Sequence, residues 1–393
     1  MSDSKLKEIT HSHPHTPEWV YDIQYLTFSG GGVRGFAFAG AVLTLDEAFR
    51  KRNKNLHRQL KGCSGCSVGA LFALWTVLGV RGQQLFREVL YTNIGHVMND
   101  LSIDNLMEMY GLNNTLRIRQ QIFDILERHT GQGDITFKKL YDLTGKRYVC
   151  SLTNVSSGKV EYHSYLTTPN NKVMDSVVAS MSIPMLFAPT IINGDYYVDG
   201  GVLDNLPFSV FPPEESLIFA LGGNLPDITD VKSFIFRIAM LGLASSDLAR
   251  VNSLPPNLRD RVLPLRVTDI SPISFHIDFE TKRRVMVMGT KIVGRFLYPQ
   301  LLVQDCMKML TRVLFTISNQ KVKKELEEKT QGTEEKEECK IPKTPETPSK
   351  PQSPSGLNPV PVPVPGPISS PKTPPENSVD DSSSDKPELK ESQ

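Results

Sequence analysis

The stretch that most constrains this chain is residues 62–80, where small residues lead directly into an apolar segment. Within it, Gly65-Cys66-Ser67-Val68-Gly69 fits the pattern G-x-S-x-G. Small residues around a serine permit a sharp strand-to-helix turn that exposes the hydroxyl beside free backbone N–H groups. The thirteen residues 68–80 carry no charge, which is typical of a buried helix. A segment of this length is too short to span a bilayer. We predict a reactive serine at the start of a core helix.

A glycine-rich turn lies between a predicted strand at residues 23–28 and a predicted helix at residues 36–49. Gly30, Gly32 and Gly35 fit the dinucleotide-binding pattern G-x-G-x-x-G. That fingerprint needs an acidic residue about 20 positions further on, yet no acid occurs at residues 48–87. The glycines also suit an oxyanion hole, in which backbone N–H groups stabilise the charge of an acyl-transfer transition state. We favour the oxyanion hole and keep dinucleotide binding as the alternative.

Arg34, inside this turn, has three open interpretations. It supports the loop, it contacts an anionic head group, or it forms half of a structural ion pair.

A β-rich run delivers Asp199 to a strand end, where Gly200 and Gly201 turn the chain. An isolated Asp-Gly is typical of a turn, but a serine nucleophile needs a base within hydrogen-bond reach. Ser67 and Asp199 are therefore candidates for a catalytic pair. A triad completed by His276 stays open, because this order matches that of α/β-hydrolases. We interpret His276 as structural, in an apolar strand-like run at residues 273–277.

In this order, the three motifs resemble those of the patatin-like phospholipase family. The resemblance covers residues 26–207 and includes Ala179-Ser180-Met181-Ser182-Ile183-Pro184 and Asn205-Leu206-Pro207. It implies a three-layer α/β/α sandwich with a mostly parallel central sheet. It also implies hydrolysis of lipid acyl esters with no cofactor and no catalytic metal.

The resemblance further implies a Ser-Asp dyad, with Ser67 as nucleophile and Asp199 as base. Gly31 and Gly32 would then donate the oxyanion-hole hydrogen bonds. The chain departs from the family at Met185, where glycine is frequent, and at Cys66, which is an unusual neighbour of the nucleophile. The residues expected to shape and support the motifs are Gly30, Arg34, Gly35, Gly65, Gly69, Gly200 and Gly201.

The composition limits the classes of partner and the cellular compartments that we expect for this chain. A net charge of +1 gives no indication of nucleic-acid binding. Five cysteines without a visible signal peptide favour a reducing compartment, and we interpret Cys63 and Cys66 as core residues rather than a redox pair. No apolar run is long enough to span a bilayer. We therefore expect a cytoplasmic protein that associates peripherally with membranes.

The chain divides into a flexible N-terminal arm at residues 1–20, a catalytic domain at 21–329 and a disordered Pro/Ser/Thr-rich tail at 330–393. The domain has a helical C-terminal part at residues 282–329. Its last helix, at 300–329, has an apolar stripe that suits either core packing or membrane docking. A helix is also predicted at residues 114–129, whose apolar side chains we assign to the core: Leu116, Ile118, Ile122, Ile125 and Leu126.

The expected activity is lipid acyl ester hydrolysis of the phospholipase A or lysophospholipase type. The substrate would be a phospholipid or another acyl lipid at a membrane or droplet surface, and the tail offers sites for protein partners. A triacylglycerol lipase of the same mechanism and a catalytically silent lipid-binding module are the alternatives.

Overall fold

A computed structural model describes residues 17–91, 102–224 and 227–299. All of them lie in one compact unit, Met1–Thr330. The predicted helix at 300–329 and the Pro-rich tail lie outside the described residues. The predicted arm ends too late, because Val20 is buried and Trp19 packs against the core, so these two residues belong to the folded domain.

Strands and helices alternate along much of the chain. The strands are β1 (Tyr25–Phe28), β2 (Gly62–Cys66), β3 (Gly111–Asn113), β4 (Arg147–Asn154), β5 (Lys159–His163), β6 (Met185–Phe187), β7 (Thr190–Ile192), β8 (Asp195–Asp199), β9 (Ser216–Gly222) and β10 (Val262–Arg266). The α-helices are α1 (Phe36–Lys51), α2 (Leu56–Gln59), α3 (Val68–Val77), α4 (Gly82–Tyr91), α5 (Ile103–Met109), α6 (Leu116–Thr130), α7 (Phe137–Thr144), α8 (Val173–Ser180), α9 (Val231–Ser253), α10 (Pro256–Arg259) and α11 (Phe279–Leu297).

The central sheet is mostly parallel, as predicted. Strands β10, β9, β1, β2 and β4 are neighbours in that order, and every pair among them is parallel. Strands β5 and β8 pair antiparallel with β4, and β7 pairs antiparallel with β8. A separate two-stranded sheet joins β3 and β6. Parallel strands need crossover connections, which the intervening helices provide.

Helices cover both faces of the sheet, which gives the predicted three layers. Successive side chains of a strand point to opposite faces. In β9, Leu217 and Phe219 belong to the main apolar cluster, whereas Ile218 belongs to a second cluster with Val251 of α9. Helix α9 therefore covers the face opposite the main core.

Aromatic rings fix the part of the sheet that supports the motifs. The Phe28 ring of β1 lies 5.2 Å from that of Phe38 in α1 and 5.5 Å from that of Phe219 in β9. Phe38 in turn lies 5.4 Å from Phe72 of α3. The glycine turn and the serine turn thus project from one rigid aromatic core.

Three sequence predictions need correction. The helix predicted at 68–80 ends at Val77, because the chain turns at Gly79 with φ 79°. The strand-like run at 273–277 is a loop that leads to Asp278, the N-cap of α11, which accepts a hydrogen bond from Thr281 N–H. The C-terminal helical part begins at Phe279, and its predicted continuation beyond residue 299 lies outside the described residues.

Candidate active site

Ser67 occupies the sharp turn between β2 and α3. Its backbone has φ 53° and ψ −128°, a conformation that non-glycine residues rarely adopt and that costs about 1–3 kcal/mol. The glycines on either side of Ser67 allow backbone segments to approach closely at this turn. A Cβ at Gly65 would lie 2.2 Å from the carbonyl oxygen of Gly69, and one at Gly69 would lie 2.3 Å from that of Phe28. The turn predicted from G-x-S-x-G is therefore present, with Ser67 at its apex.

Strand pairing explains why Ser67 and Asp199 meet. Strand β2 lies along one edge of β4, with Cys66 opposite Ser151. Strand β5 pairs with residues 150–154 of β4, which overlap the residues paired with β2 and those paired with β8, so β5 must occupy the other edge. Strand β8 therefore lies on the same edge of β4 as β2. Asp199, the last residue of β8, lies opposite Leu152, one position beyond Ser151. The two strands run toward each other along this edge of β4, so their last residues meet end to end.

Asp199 is a buried carboxyl group whose surroundings tune its acidity. It is 6% exposed, and burial raises its pKa from 3.8 to about 6. Three donors oppose this rise: the Ser67 hydroxyl, the Gly201 N–H at 2.8 Å and the Cys66 thiol at 3.5 Å. A carboxylate with a pKa near 6 is ionised at neutral pH and still accepts a proton readily, as a general base must.

The glycine turn lies beside the nucleophile. A Cβ at Gly30 would lie 3.2 Å from the Ser67 Cβ. Gly32 has φ 56°, and a Cβ there would lie 2.0 Å from the carbonyl oxygen of Pro272, so only glycine fits. Gly32 and Ser67 line the same cavity, whereas Gly31 does not line it. The structure thus brings the turn to Ser67, and the donor roles of Gly31 and Gly32 remain a proposal.

Arg34 supports the loops behind this turn. It is 8% exposed, and its guanidinium donates hydrogen bonds to the carbonyl oxygens of Ile270 and Asn224. Burial lowers its pKa to about 10. These contacts favour the loop-supporting interpretation over a contact with an anionic head group.

Ser180, at the end of α8, has a role that the sequence did not reveal. Its hydroxyl accepts a hydrogen bond from the Ser67 N–H at 2.9 Å and donates one to the carbonyl oxygen of Ser151 at 2.7 Å. It therefore ties the strained turn to β4. The sequence indicated Ser180 only as part of the family-like stretch Ala179-Ser180-Met181-Ser182-Ile183-Pro184. Nothing in that stretch relates Ser180 to Ser67.

The cysteines near the turn are free, buried thiols. Cys63 and Cys66 are 0% exposed, and burial raises the pKa of Cys63 to about 12 and that of Cys66 well above its ordinary value. They stay protonated at neutral pH, as expected of core residues rather than of a redox pair.

His276 does not join the pair. It is exposed in the loop before α11. The groups that act on the carboxyl group of Asp199 are Ser67, Gly201 and Cys66, and no histidine among the described residues belongs to that set. The geometry thus contains a Ser-Asp pair, and a triad through His276 has no structural support.

An apolar cavity of about 410 Å³ opens onto Ser67. One wall is a face of α3 with helical spacing, formed by Val68, Leu71, Phe72 and Trp75. Helix α6 contributes a second part of the lining, which includes Ile118, Ile122 and Ile125. The sequence predicts these side chains to be in the core, but apolar spacing alone does not show that one edge of the stripe lines a cavity. Leu116 of the same set is 66% exposed, and Leu126 is fully buried.

Charged residues stand at the rim of this cavity. The half-exposed Arg128 donates a hydrogen bond of 2.6 Å to Glu88, and both side chains line the cavity. An apolar interior with few polar groups is typical of small-molecule sites.

Met185, where the sequence departs from the family pattern, has φ 64°. Left-handed backbone favours glycine, which accounts for the frequent glycine at this position. The Met185 side chain is 40% exposed in β6 and does not line the cavity.

No helix in the ranges 17–91, 102–224 and 227–299 is long and apolar enough to cross a membrane. The same ranges contain no cluster of three or more histidine, cysteine, aspartate or glutamate residues arranged to hold a metal ion.

Several curated proteins are similar to this chain. Uncharacterized protein R571 of Acanthamoeba polyphaga mimivirus is 26% identical, over 71% of this chain and 95% of its own. The probable lipid hydrolase 463L of Invertebrate iridescent virus 6 is 26% identical over 47% of this chain and 62% of its own. The mouse 1-acylglycerol-3-phosphate O-acyltransferase Pnpla3 is 31% identical over 46% of this chain and 40% of its own. The chain thus spans less than two thirds of the two relatives named for an activity.

Among solved structures, VipD from Legionella pneumophila aligns with a TM-score of 0.44 and 17% identity, over 70% of this chain and 67% of VipD. The family model described as patatin-like phospholipase matches residues 26–212, which hold the glycine turn, the serine turn and Asp199. Over these residues the chain matches the patatin-like phospholipase family.

Proposed function

We propose that this chain hydrolyses acyl ester bonds of phospholipids or lysophospholipids at a lipid surface. Ser67 is the nucleophile, Asp199 is the base, and the glycine turn supplies the oxyanion hole. The observation that carries the proposal is the Ser67 side chain, which lines an apolar cavity and interacts with the buried carboxyl group of Asp199. The match to a lipid-hydrolase family supports the reaction class.

In the first half-reaction, Asp199 accepts the proton of the Ser67 hydroxyl as the oxygen attacks the ester carbonyl carbon. The carbonyl oxygen becomes negative and accepts hydrogen bonds from the N–H groups of Gly31 and Gly32, each of which contributes about 3 kcal/mol. The N-terminus of α3 points at the same place and adds a favourable dipole. When the tetrahedral intermediate collapses, the ester C–O bond breaks. The leaving alcohol then takes the proton from Asp199.

In the second half-reaction, water replaces the alcohol. Asp199 takes a proton from the water, which attacks the acyl carbon, and the Ser67 oxygen leaves with that proton restored. The free acid and the original enzyme result, so one base serves both steps. The hydrogen bond from Gly201 N–H keeps the carboxylate of Asp199 oriented between them.

The cavity favours an acyl chain as the group that lies next to Ser67. Its volume of about 410 Å³ and its apolar lining are of the kind that buries most of a small apolar ligand. Its walls bury each methylene with a gain of about 0.8 kcal/mol. The head group would stay outside, beyond the Arg128–Glu88 rim.

The direct test compares phospholipid and lysophospholipid hydrolysis by the wild type, Ser67→Ala and Asp199→Asn. Both variants should lose at least about 1,000-fold in kcat while remaining folded. Ser157→Ala and Asp134→Asn, which alter exposed side chains, are the matched controls. Near-wild-type turnover by either site variant would contradict the proposal. No turnover of any ester by the wild type would favour the silent lipid-binding module.

The name of the 31% identical relative Pnpla3 favours acyl transfer as a second candidate. An acyl-Ser67 intermediate can pass its acyl group to an acceptor hydroxyl instead of water. Adding 1-acylglycerol-3-phosphate and measuring diacyl product against free fatty acid separates the two outcomes. Faster release of fatty acid from triacylglycerol than from phospholipid would identify the lipase alternative.

A further inference from the structure

Asn205 lies between the glycine turn and helix α9. Its backbone carbonyl accepts a hydrogen bond from Gly30 N–H at 3.0 Å. A Cβ at Gly30 would lie 2.3 Å from the Asn205 side-chain oxygen and 3.2 Å from the Ser67 Cβ. Gly30 is therefore packed between the amide of Asn205 and the nucleophile. A shift of Asn205 would move the turn that faces Ser67.

Asp247 of α9 orients this amide. The Asn205 Nδ2 donates a hydrogen bond of 3.0 Å to the Asp247 Oδ2. A carboxylate only accepts hydrogen bonds, so it selects the NH₂ end of the amide. The oxygen end is then left on the side of Gly30, as the contact distance shows.

The residue before Asn205 is held by the same helix. Arg250, one turn beyond Asp247, forms an ion pair with Asp204 and lies 3.9 Å from Asp247. Asp204 is 3% exposed and accepts a hydrogen bond of 2.5 Å from the Tyr162 hydroxyl. Its backbone N–H donates to the carbonyl oxygen of Gly200 at 2.9 Å. Helix α9 therefore anchors the segment that follows Asp199 at two successive positions.

We propose that Asn205 and Asp247 are positioning residues for the oxyanion hole: Asp247 orients the Asn205 amide, and Asn205 holds Gly30 so that the N–H groups of Gly31 and Gly32 face the carbonyl oxygen bound at Ser67. The inference rests on the proposed hydrolysis. Neither residue lines the cavity, so their loss changes the chemical step more than lipid binding.

The first test measures kcat and KM of Asn205→Ala with a p-nitrophenyl acyl ester and with a lysophospholipid. We expect kcat to fall about 10- to 100-fold, with KM within about threefold of the wild-type value. Ser253→Ala, at the exposed end of the same helix, is the matched control and should keep the wild-type kcat. An unchanged kcat in folded Asn205→Ala would refute the inference.

The second test asks whether Asp247 acts through Asn205. Asp247→Ala should lower kcat, while Asp247→Asn should restore most of it, because its amide oxygen still accepts from Asn205. The double variant Asn205→Ala/Asp247→Ala should be no slower than Asn205→Ala, since residues that act as one unit are not additive. Additive losses would refute the inference.

Three further outcomes keep the test decisive. If Asn205→Ala does not fold, the comparison of Asp247→Ala with Asp247→Asn decides alone, and equal rates would overturn the inference. If Ser67→Ala and Asp199→Asn retain wild-type turnover, the proposed hydrolysis mechanism has failed. If those two are inactive and folded Asn205→Ala is normal, only the positioning role has failed.

Discussion

Replacing Asp199 by asparagine should abolish activity and yet stabilise the protein increasingly as the pH rises. Burial raises the pKa of Asp199 from 3.8 to about 6, so ionisation of this carboxyl group disfavours the folded state. One pKa unit corresponds to about 1.4 kcal/mol. The free energy of unfolding of the wild type is therefore about 3 kcal/mol lower above pH 6 than at low pH, as far as this group is concerned.

The sign follows from proton binding. Between pH 3.8 and about 6 the folded state holds the Asp199 proton, whereas the unfolded chain has released it. Stability contributed by this group is thus highest at low pH and falls as the pH rises. Asparagine does not ionise, so Asp199→Asn escapes this loss. The packing cost of the new amide is the same at every pH and cancels when two pH values are compared.

Urea unfolding of the wild type and Asp199→Asn at pH 4.5, 6 and 7.5 measures the effect. The free energy of unfolding of the variant, relative to that of the wild type, should increase by about 2 kcal/mol from pH 4.5 to 7.5. Asp134→Asn, which removes an exposed carboxylate, is the matched control. A constant or decreasing difference for Asp199→Asn would refute the assignment of a raised pKa.

Three other expectations follow from the same geometry. Since the ionised form of Asp199 is the base, kcat/KM should rise with pH and reach half its maximum near pH 6, where the pKa of Asp199 lies. A rate that falls through this range would contradict the base role. Gly32→Ala should lower kcat/KM at least about 100-fold, because its Cβ would lie 2.0 Å from the Pro272 carbonyl oxygen; Gly194→Ala, also at positive φ but without a neighbour within 4 Å, should keep wild-type kcat/KM. Met185→Gly should raise the free energy of unfolding by about 0.5–1 kcal/mol in urea titrations, and a lower value would show that the left-handed backbone at φ 64° is not strained.

Local steric rules explain what the sequence could predict. The serine turn needs glycine at positions 65 and 69, because a Cβ added at either position would lie within 2.3 Å of a backbone carbonyl oxygen. The glycine turn needs the positive φ of Gly32. Both demands are visible in the residues themselves. The parallel strands and their helices likewise follow from the apolar pattern and the turns between them.

The meeting of Ser67 with Asp199 could not be derived from the residues alone. It depends on β5 occupying one edge of β4, so that β2 and β8 meet end to end along the other edge. Strand register of this kind is a long-range property, and the family resemblance supplied the pairing instead. Ser180 was missed as a support of the turn for the same reason, because its partner Ser67 lies 113 positions away.

Short and mixed patterns also misled the sequence analysis. The run at 273–277 alternates like a strand, but it pairs with no strand in the described part of the chain and leads into the cap of α11. The apolar stripe of α6 indicated a buried face, and Ile118, Ile122 and Ile125 are indeed buried. The pattern could not show that the same side chains border an empty volume beside Ser67.

The central claim is that the buried carboxylate of Asp199 activates Ser67 for attack. The most direct measurement is the rate at which an alkyl fluorophosphonate labels the protein, with the site identified by peptide mass spectrometry. The label should be on Ser67, with a rate half-maximal near pH 6, and Asp199→Asn should slow it at least about 100-fold. Labelling of another residue, or of Ser67 at an undiminished rate in folded Asp199→Asn, would contradict the account.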